Sequence, residues 1–249
     1  MPVSISELAP WRELFRQEMA AQVVHDSLHG RAGWTQSYLL AINGVAVGYG
    51  SVAVAGPWKG TRTVFEFYLS PDCRHRAFDL FEVFLHAGAA THFEIQTNDR
   101  LLTVLSQHWA ESLASEKIVF ADGLTTALAA PGKVVFRRAT PGDAVRKFAH
   151  QVEPEGDWLL EVDGVIAATG GALFHYNPPY GDLYYEVAEP FRRRGLGTYL
   201  AQELKRVCRA DGGVPCARCN TSNTASRRTL ARAGFEPVAH ILVGTVKRS

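Results

Sequence analysis

The sequence predicts an α/β (α+β) protein made of two tandem units. Three observations carry this. A chain of 249 residues holds two domains of about 120 residues, each large enough for its own core. The run Tyr38-Leu39-Leu40-Ala41-Ile42-Asn43-Gly44-Val45-Ala46-Val47-Gly48-Tyr49-Gly50 returns about 120 residues later as Trp158-Leu159-Leu160-Glu161-Val162-Asp163-Gly164-Val165-Ile166-Ala167-Ala168-Thr169-Gly170. Each is an alternating hairpin centred on Asn-Gly or Asp-Gly, the strongest short-range hairpin signal. Strands then alternate with helical periods in both halves.

The elements follow in order. Leu8, Trp11, Phe15, Met19 and Val23 recur at helical spacing within residues 7–24, a stripe that reads as core. After the first hairpin come a strand at Val64-Phe65-Glu66-Phe67-Tyr68-Leu69, a strand at Glu94-Ile95-Gln96-Thr97-Asn98 and a helix through Leu102 and Leu105. A strand at Lys117-Ile118-Val119-Phe120 closes the set. Small residues ending in Pro131-Gly132 mark the boundary, so the units are expected at 1–130 and 131–249. The second unit opens with a strand and helix at Val135-Phe136-Arg137-Arg138-Ala139-Thr140-Pro141-Gly142-Asp143-Ala144.

The most informative segment begins as a strand, Tyr184-Tyr185-Glu186-Val187. It then runs through Arg192-Arg193-Arg194-Gly195-Leu196-Gly197-Thr198 into a helix with Leu196, Leu200, Leu204, Val207 and Cys208 on one face. Gly195 and Gly197 permit a tight turn and close approach of a ligand. A helix start presents unpaired N–H groups and the positive end of its dipole, and three arginines add charge: an anion site suited to a pyrophosphate. The competing reading is a solvated basic turn. Twenty-six residues after Gly197, Asn223-Thr224-Ala225-Ser226-Arg227-Arg228-Thr229-Leu230 begins a second short helix, closed by Gly234-Phe235 and preceded by a strand at Val214-Pro215-Cys216-Ala217-Arg218-Cys219.

The linked R-x-x-G-x-G and N-x-x-S…G-F segments of residues 132–249 resemble the GNAT superfamily of acetyl-CoA-dependent N-acetyltransferases. The resemblance implies two GNAT-like units, each a mixed, mostly antiparallel twisted sheet flanked by helices. It implies acetyl-CoA as cosubstrate, lying between the strands that end at Val187 and near Cys219. The Val187 backbone would pair with the pantetheine arm. Arg192 and the segment Arg193, Arg194, Gly195, Leu196, Gly197 and Thr198 would hold the pyrophosphate, with Asn223 and Ser226 touching the cofactor; Ser226 is equally readable as a helix-start cap. In the first unit Arg74, Ala77 and Asp79 stand where the second has Arg192, Gly195 and Gly197, so that copy reads as degenerate, a structural element or a cleft wall; binding of a different ligand is the alternative.

The implied reaction is direct attack of a primary amine, on a small molecule or peptide, after loss of a proton. Glu186 is the candidate base, or else a salt-bridge carboxylate, because strand alternation favours Tyr185 as the residue facing with Val187. Leu230 occupies the position where many family members place a Tyr acid. That substitution supports a second reading, a non-catalytic acyl-CoA-binding sensor or scaffold. The motifs do not separate acetyl from a larger donor such as succinyl.

Composition sets the exclusions. A net charge of +1 gives no reason to expect nucleic acid or an anionic membrane as partner. The most apolar window, residues 38–56, holds Asn43 and several glycines and reads as a hairpin instead of a span. The start lacks the pattern of a signal peptide, which makes the cytoplasm the expected compartment. Cys216 and Cys219 form one C-x-x-C without a second pair, so neither zinc nor any other metal is expected, and no disulfide framework.

Overall fold

The computed structural model describes residues 2–247. It contains two compact units, the first built from residues up to Ile118 together with those from Ala239 onward, the second from Val119–Val238. In chain order the elements are β1 (Pro2–Val3), α1 (Ala9–Met19), β2 (Thr35–Ile42), β3 (Val45–Ala53), β4 (Thr63–Leu69), α2 (Ala77–Gly88), β5 (His92–Gln96), α3 (Arg100–Trp109) and β6 (Ala110–Asp122). There follow β7 (Val134–Arg138), β8 (Trp158–Val162), β9 (Val165–Asn177), β10 (Tyr180–Val187), α4 (Leu196–Ala210), β11 (Val214–Asn220), α5 (Thr224–Arg232) and β12 (Phe235–Val246).

Within the first unit the strand order is β1-β2-β3-β4-β5-β12-β6. The β2–β3 hairpin turns at Asn43-Gly44, both in the left-handed region at φ 51° and 81°, as a type I′ turn demands. Phe67, Phe81, Phe84, Phe93, Leu102 and Leu105 form the core between the sheet and α2 and α3. The α1 stripe is core too: Leu8, Phe15 and Met19 pack on Tyr49 and Tyr68. That helix is shorter than its pattern, since Ala20 turns left-handed at φ 49° and the chain leaves before Val23.

The second unit orders its strands β7-β8-β9-β10-β11-β6-β12. The matching hairpin turn at Asp163-Gly164 repeats the geometry, φ 49° and 76°. Here β10 and β11 run parallel, and their register stops at Leu183↔Ala217. Beyond it the strands splay, leaving Tyr184–Val187 paired only with β9 on the other side. This gap positions the site. Leu196, Leu200, Leu204 and Cys208 of α4 are buried, as their spacing required. Lys205 on the same helix is 2% exposed, and its Nζ donates to the carbonyls of Leu124 (2.8 Å) and Ala233 (2.9 Å) while pairing with Asp122 at 2.8 Å.

Two expectations need correction. The units do not divide at 130/131. Strand β6 runs unbroken past Lys117-Ile118-Val119-Phe120, and the second half of β12 pairs with β5, from Ile241↔Gln96 to Thr245↔His92, so the chain's C-terminal strand completes the first unit. Nor does an α-helix follow β7: beyond the three-residue turn Pro141–Asp143, residues 144–157 carry no helix or strand. A polar clasp holds the start of that segment instead, with Arg137 bridging Asp143 (2.6 Å) and Glu161 (2.9 Å) and Arg146 joining the same two carboxylates.

Candidate functional site

A cleft of about 630 Å³ opens at the β10–β11 splay, within the size range of small-molecule sites. Its floor is Tyr185, Glu186 and Val187 from β10. One wall is the loop and first turn of α4, and another the start of α5 with Asn223, Ser226 and Thr229. The third is the segment Gln151, Val152 and Glu153.

Arg193 and Gly195 both adopt left-handed backbone, φ 62° and 81°, which lets the loop turn sharply into α4. Gly195 is the helix N-cap residue, and the first intrahelical bond runs from the Tyr199 N–H to its carbonyl at 3.1 Å. The N–H groups of Leu196, Gly197 and Thr198 therefore have no acceptor within the helix. A Cβ on Gly197 would meet Thr229 at 3.4 Å, Val187 at 3.5 Å and Tyr185 at 3.7 Å. These are ordinary van der Waals distances, and they show Val187 and Tyr185 sharing the face turned toward α4.

Asn223 caps α5, its Oδ1 accepting from the Ser226 N–H at 3.0 Å. Arg192 lines the cleft, but its Nε donates to the Val187 carbonyl at 3.0 Å and a second nitrogen reaches Gln151 Oε1 at 3.3 Å. It closes the loop back on the strand end. Positive charge at the cleft comes also from Arg193, Arg228 and Arg232.

Residues 126–235 match the family model described as Acetyltransferase (GNAT) family. That stretch is similar to the GNAT acetyltransferases. Solved structures extend the likeness in fold to the full length. A GNAT-family acetyltransferase from Colwellia psychrerythraea superposes with a TM-score of 0.75 at 16% identity, covering 99% of each chain. A tandem GNAT protein from the clavulanic acid biosynthesis pathway gives 0.60 at 14% identity, over 100% of this chain and 98% of the other. A GCN5-related N-acetyltransferase from Sphaerobacter thermophilus gives 0.58 at 19%, over 86% and 81%. No curated protein matches the chain.

The cleft gathers most of the residues singled out from the sequence: Tyr185, Glu186, Val187, Arg192, Arg193, Gly195, Leu196, Gly197, Thr198, Asn223 and Ser226 all line it. Arg194 does not; its guanidinium lies over the Phe191 ring, 5.4 Å from the centroid. Arg228, Thr229 and Arg232 were missed, although Arg228 and Arg232 stand four apart on α5, the spacing that puts both on one face. Glu153 was missed for a different reason: it sits in a segment without periodicity, and only the fold carries it to the splay. Leu230 is core, 1% exposed, so α5 offers the cleft no phenol there.

Glu186 turns away from the role of a base. Its carboxylate accepts from the N–H groups of Gln151 (3.0 Å), Val152 (3.2 Å) and Glu153 (3.2 Å), with Arg192 at 3.9 Å. Burial raises its proton affinity, but the three N–H groups outweigh that and hold the carboxyl below its ordinary value. Tyr185 lines the cleft with a buried hydroxyl beside Ser226, and burial outweighs that neighbour to push its pKa well up, so it stays protonated. The four cysteines are free thiols, and burial raises Cys208 to about 11, far from a reactive thiolate.

Proposed function

We propose that the protein is an acetyl-CoA-dependent N-acetyltransferase that acetylates a primary amine of a small molecule or peptide by direct attack. The observation that carries it is the splay at Leu183↔Ala217 ending against the open amides of α4. The residues present fit the cosubstrate. The β10 edge at Val187, left without a β11 partner although its carbonyl takes a hydrogen bond from Arg192, suits the amides of a pantetheine arm, and the N–H groups of Leu196, Gly197 and Thr198 suit a pyrophosphate. Arg193, Arg228 and Arg232 supply charge, and 630 Å³ gives room. Bound there, acetyl-CoA supplies the activated acyl thioester. Asn223 and Ser226 edge the same cavity. Tyr185 would be the candidate to donate a proton to the leaving thiolate, in place of the phenol that Leu230 does not provide. Glu186 fixes the 151–153 segment, and so acts through other residues.

In this reading the second unit alone, residues 131–249 in sequence terms, holds the cofactor, and the first unit is a degenerate copy. Thiol release from acetyl-CoA with a panel of amines tests the activity. The buried Leu230 favours a second reading, acyl-CoA binding without turnover; tight binding with no thiol release from any amine would establish it, and steady release would remove it.

A further inference from the structure

We propose that Glu153 is the general base that takes the proton from the acceptor amine. The proposal rests on the acetyltransferase reading and deepens it. An alkylammonium has a pKa near ~10.4, so something at the cleft must accept its proton before the nitrogen can attack. The titratable side chains lining the cleft are few. The arginines do not deprotonate, Tyr185 is held protonated, and both oxygens of Glu186 are occupied by backbone N–H groups. Glu153 remains. It is half-buried, and among the described residues its carboxylate shows no hydrogen bond or ion pair.

Its backbone is pinned at both ends, which is what a base needs to hold a fixed reach. The Glu153 N–H donates to Glu186 Oε2 at 3.2 Å, and its carbonyl lies 3.0 Å from His150 Nδ1. His150 is itself held, with Nε2 3.0 Å from the hydroxyl of Thr169, which is fully buried. Glu186 is thus a positioning residue for Glu153. The charged and titratable groups facing Glu153 are Asp182, Tyr184, Tyr185 and Glu186 from β10, Arg218 from β11, and His150 from its own segment. Burial first, then Asp182 and Glu186, raise its proton affinity; Arg218 and His150 oppose this without cancelling it. A carboxylate so placed is a better base than an ordinary surface Glu, and attracts an acceptor that arrives as a cation.

The balance is simple. One ammonium proton passes to a Glu153 oxygen and on to solvent. The nitrogen lone pair forms the C–N bond while the C–S bond breaks with its electron pair leaving on sulfur. The second N–H proton lost from nitrogen matches the one gained by sulfur, so no oxidant or reductant is consumed.

The test uses the full chain, with kcat, KM for the amine and acetyl-CoA affinity followed from pH 6 to 10 in wild type, Glu153→Gln and Glu153→Asp. Glu153→Gln is expected to lower kcat by ~10²-fold or more at neutral pH. The deficit should shrink as pH rises and free amine forms unaided, and acetyl-CoA affinity should stay unchanged. Glu153→Asp should recover part of the rate. An active wild type whose Glu153→Gln variant keeps its rate within about threefold, or loses cofactor affinity in parallel, overturns the assignment alone. A wild type that binds acetyl-CoA but turns over no amine overturns it together with the acetyltransferase reading.

Discussion

The second unit's cleft has a counterpart in the first, and the two differ less in backbone than in what occupies the gap. Arg192 Nε donates to the Val187 carbonyl at 3.0 Å, and Arg74 Nε donates to the Leu69 carbonyl at 3.1 Å, the same five-residue bond 118 positions earlier (192 − 74). Asn223 caps α5 through the N–H three residues on, as Asp99 caps α3 through Leu102. In both units the parallel strand pair stops early, at Val64↔Phe93 in the first. There the likeness ends. Gly195 is left-handed at φ 81°, whereas Ala77 at φ −60° continues into α2 without an open loop. Arg74 is paired with Glu18 of α1 at 2.5 Å, Asn98 Nδ2 donates to the Met19 carbonyl at 2.9 Å, and Phe15 and Met19 line the remaining space of about 310 Å³. Asp99 places a carboxylate where the second unit has Asn223, while Asp79, the counterpart of Gly197, turns outward to pair with Arg76 at 3.0 Å. One scaffold therefore carries either an open cleft or a space partly filled by α1 side chains, and side chains at a few positions decide which.

Four experiments would break or sharpen that contrast. The largest effect is expected from ending the chain at Val238. The β12 residues Ile241 to Thr245 pair with β5, so their removal should expose that edge and collapse hydrogen-exchange protection across Phe93–Gln96. Unchanged protection there would show that the first unit does not depend on β12.

Next comes the loop. Gly195→Asp puts a side chain at φ 81° and a negative charge beside the α4 amides, and should weaken CoA binding by ~10²-fold or more, while Ala77→Asp leaves it intact. Calorimetry should count one site per chain; two sites would end the asymmetry between the units.

Asp99 gives the third. Burial raises its carboxyl to about 7, and Oδ2 has no partner among the described residues. The raised value means the folded state binds this proton more tightly than the unfolded chain. Asp99 therefore costs no stability at low pH, and destabilises increasingly as pH climbs from ~4 to about 7, by a few kcal/mol in order of magnitude. Asp99→Asn keeps a capping side chain, so it should stabilise the chain at neutral pH and flatten its unfolding midpoint between pH 4 and 7. A midpoint that still falls over that range would assign the dependence to another group.

The smallest effect belongs to the cations of α5. Arg228→Ala or Arg232→Ala should each weaken CoA binding by about 1 kcal/mol, roughly fivefold, with the loss fading as salt is raised. A salt-independent loss would mean that the arginines pack against the ligand instead of neutralising it.

What the sequence determined by itself was local. Asn43-Gly44 and Asp163-Gly164 turn as their residue types require, because each pair tolerates two consecutive positive φ angles. The α4 face was fixed by the period of Leu196, Leu200, Leu204 and Cys208, and Asn223 caps its own helix within three residues. The tight loop into α4 was legible for the same reason: glycines and a helix start lie in one short run. The tertiary structure decided everything that depends on distance along the chain. The Lys117-Ile118-Val119-Phe120 strand belongs to a longer element, and the last strand pairs with β5 more than 140 residues back, a choice made by sheet pairing that no local pattern encodes. The orientation of Glu186 was likewise invisible, since its three partners lie 33 to 35 residues away in a segment without periodicity. The same segment brings Glu153 to the cleft. Local propensity acts through neighbours within a turn or two, whereas the groups that would move a proton here meet only when splayed strands and an irregular segment close on one another.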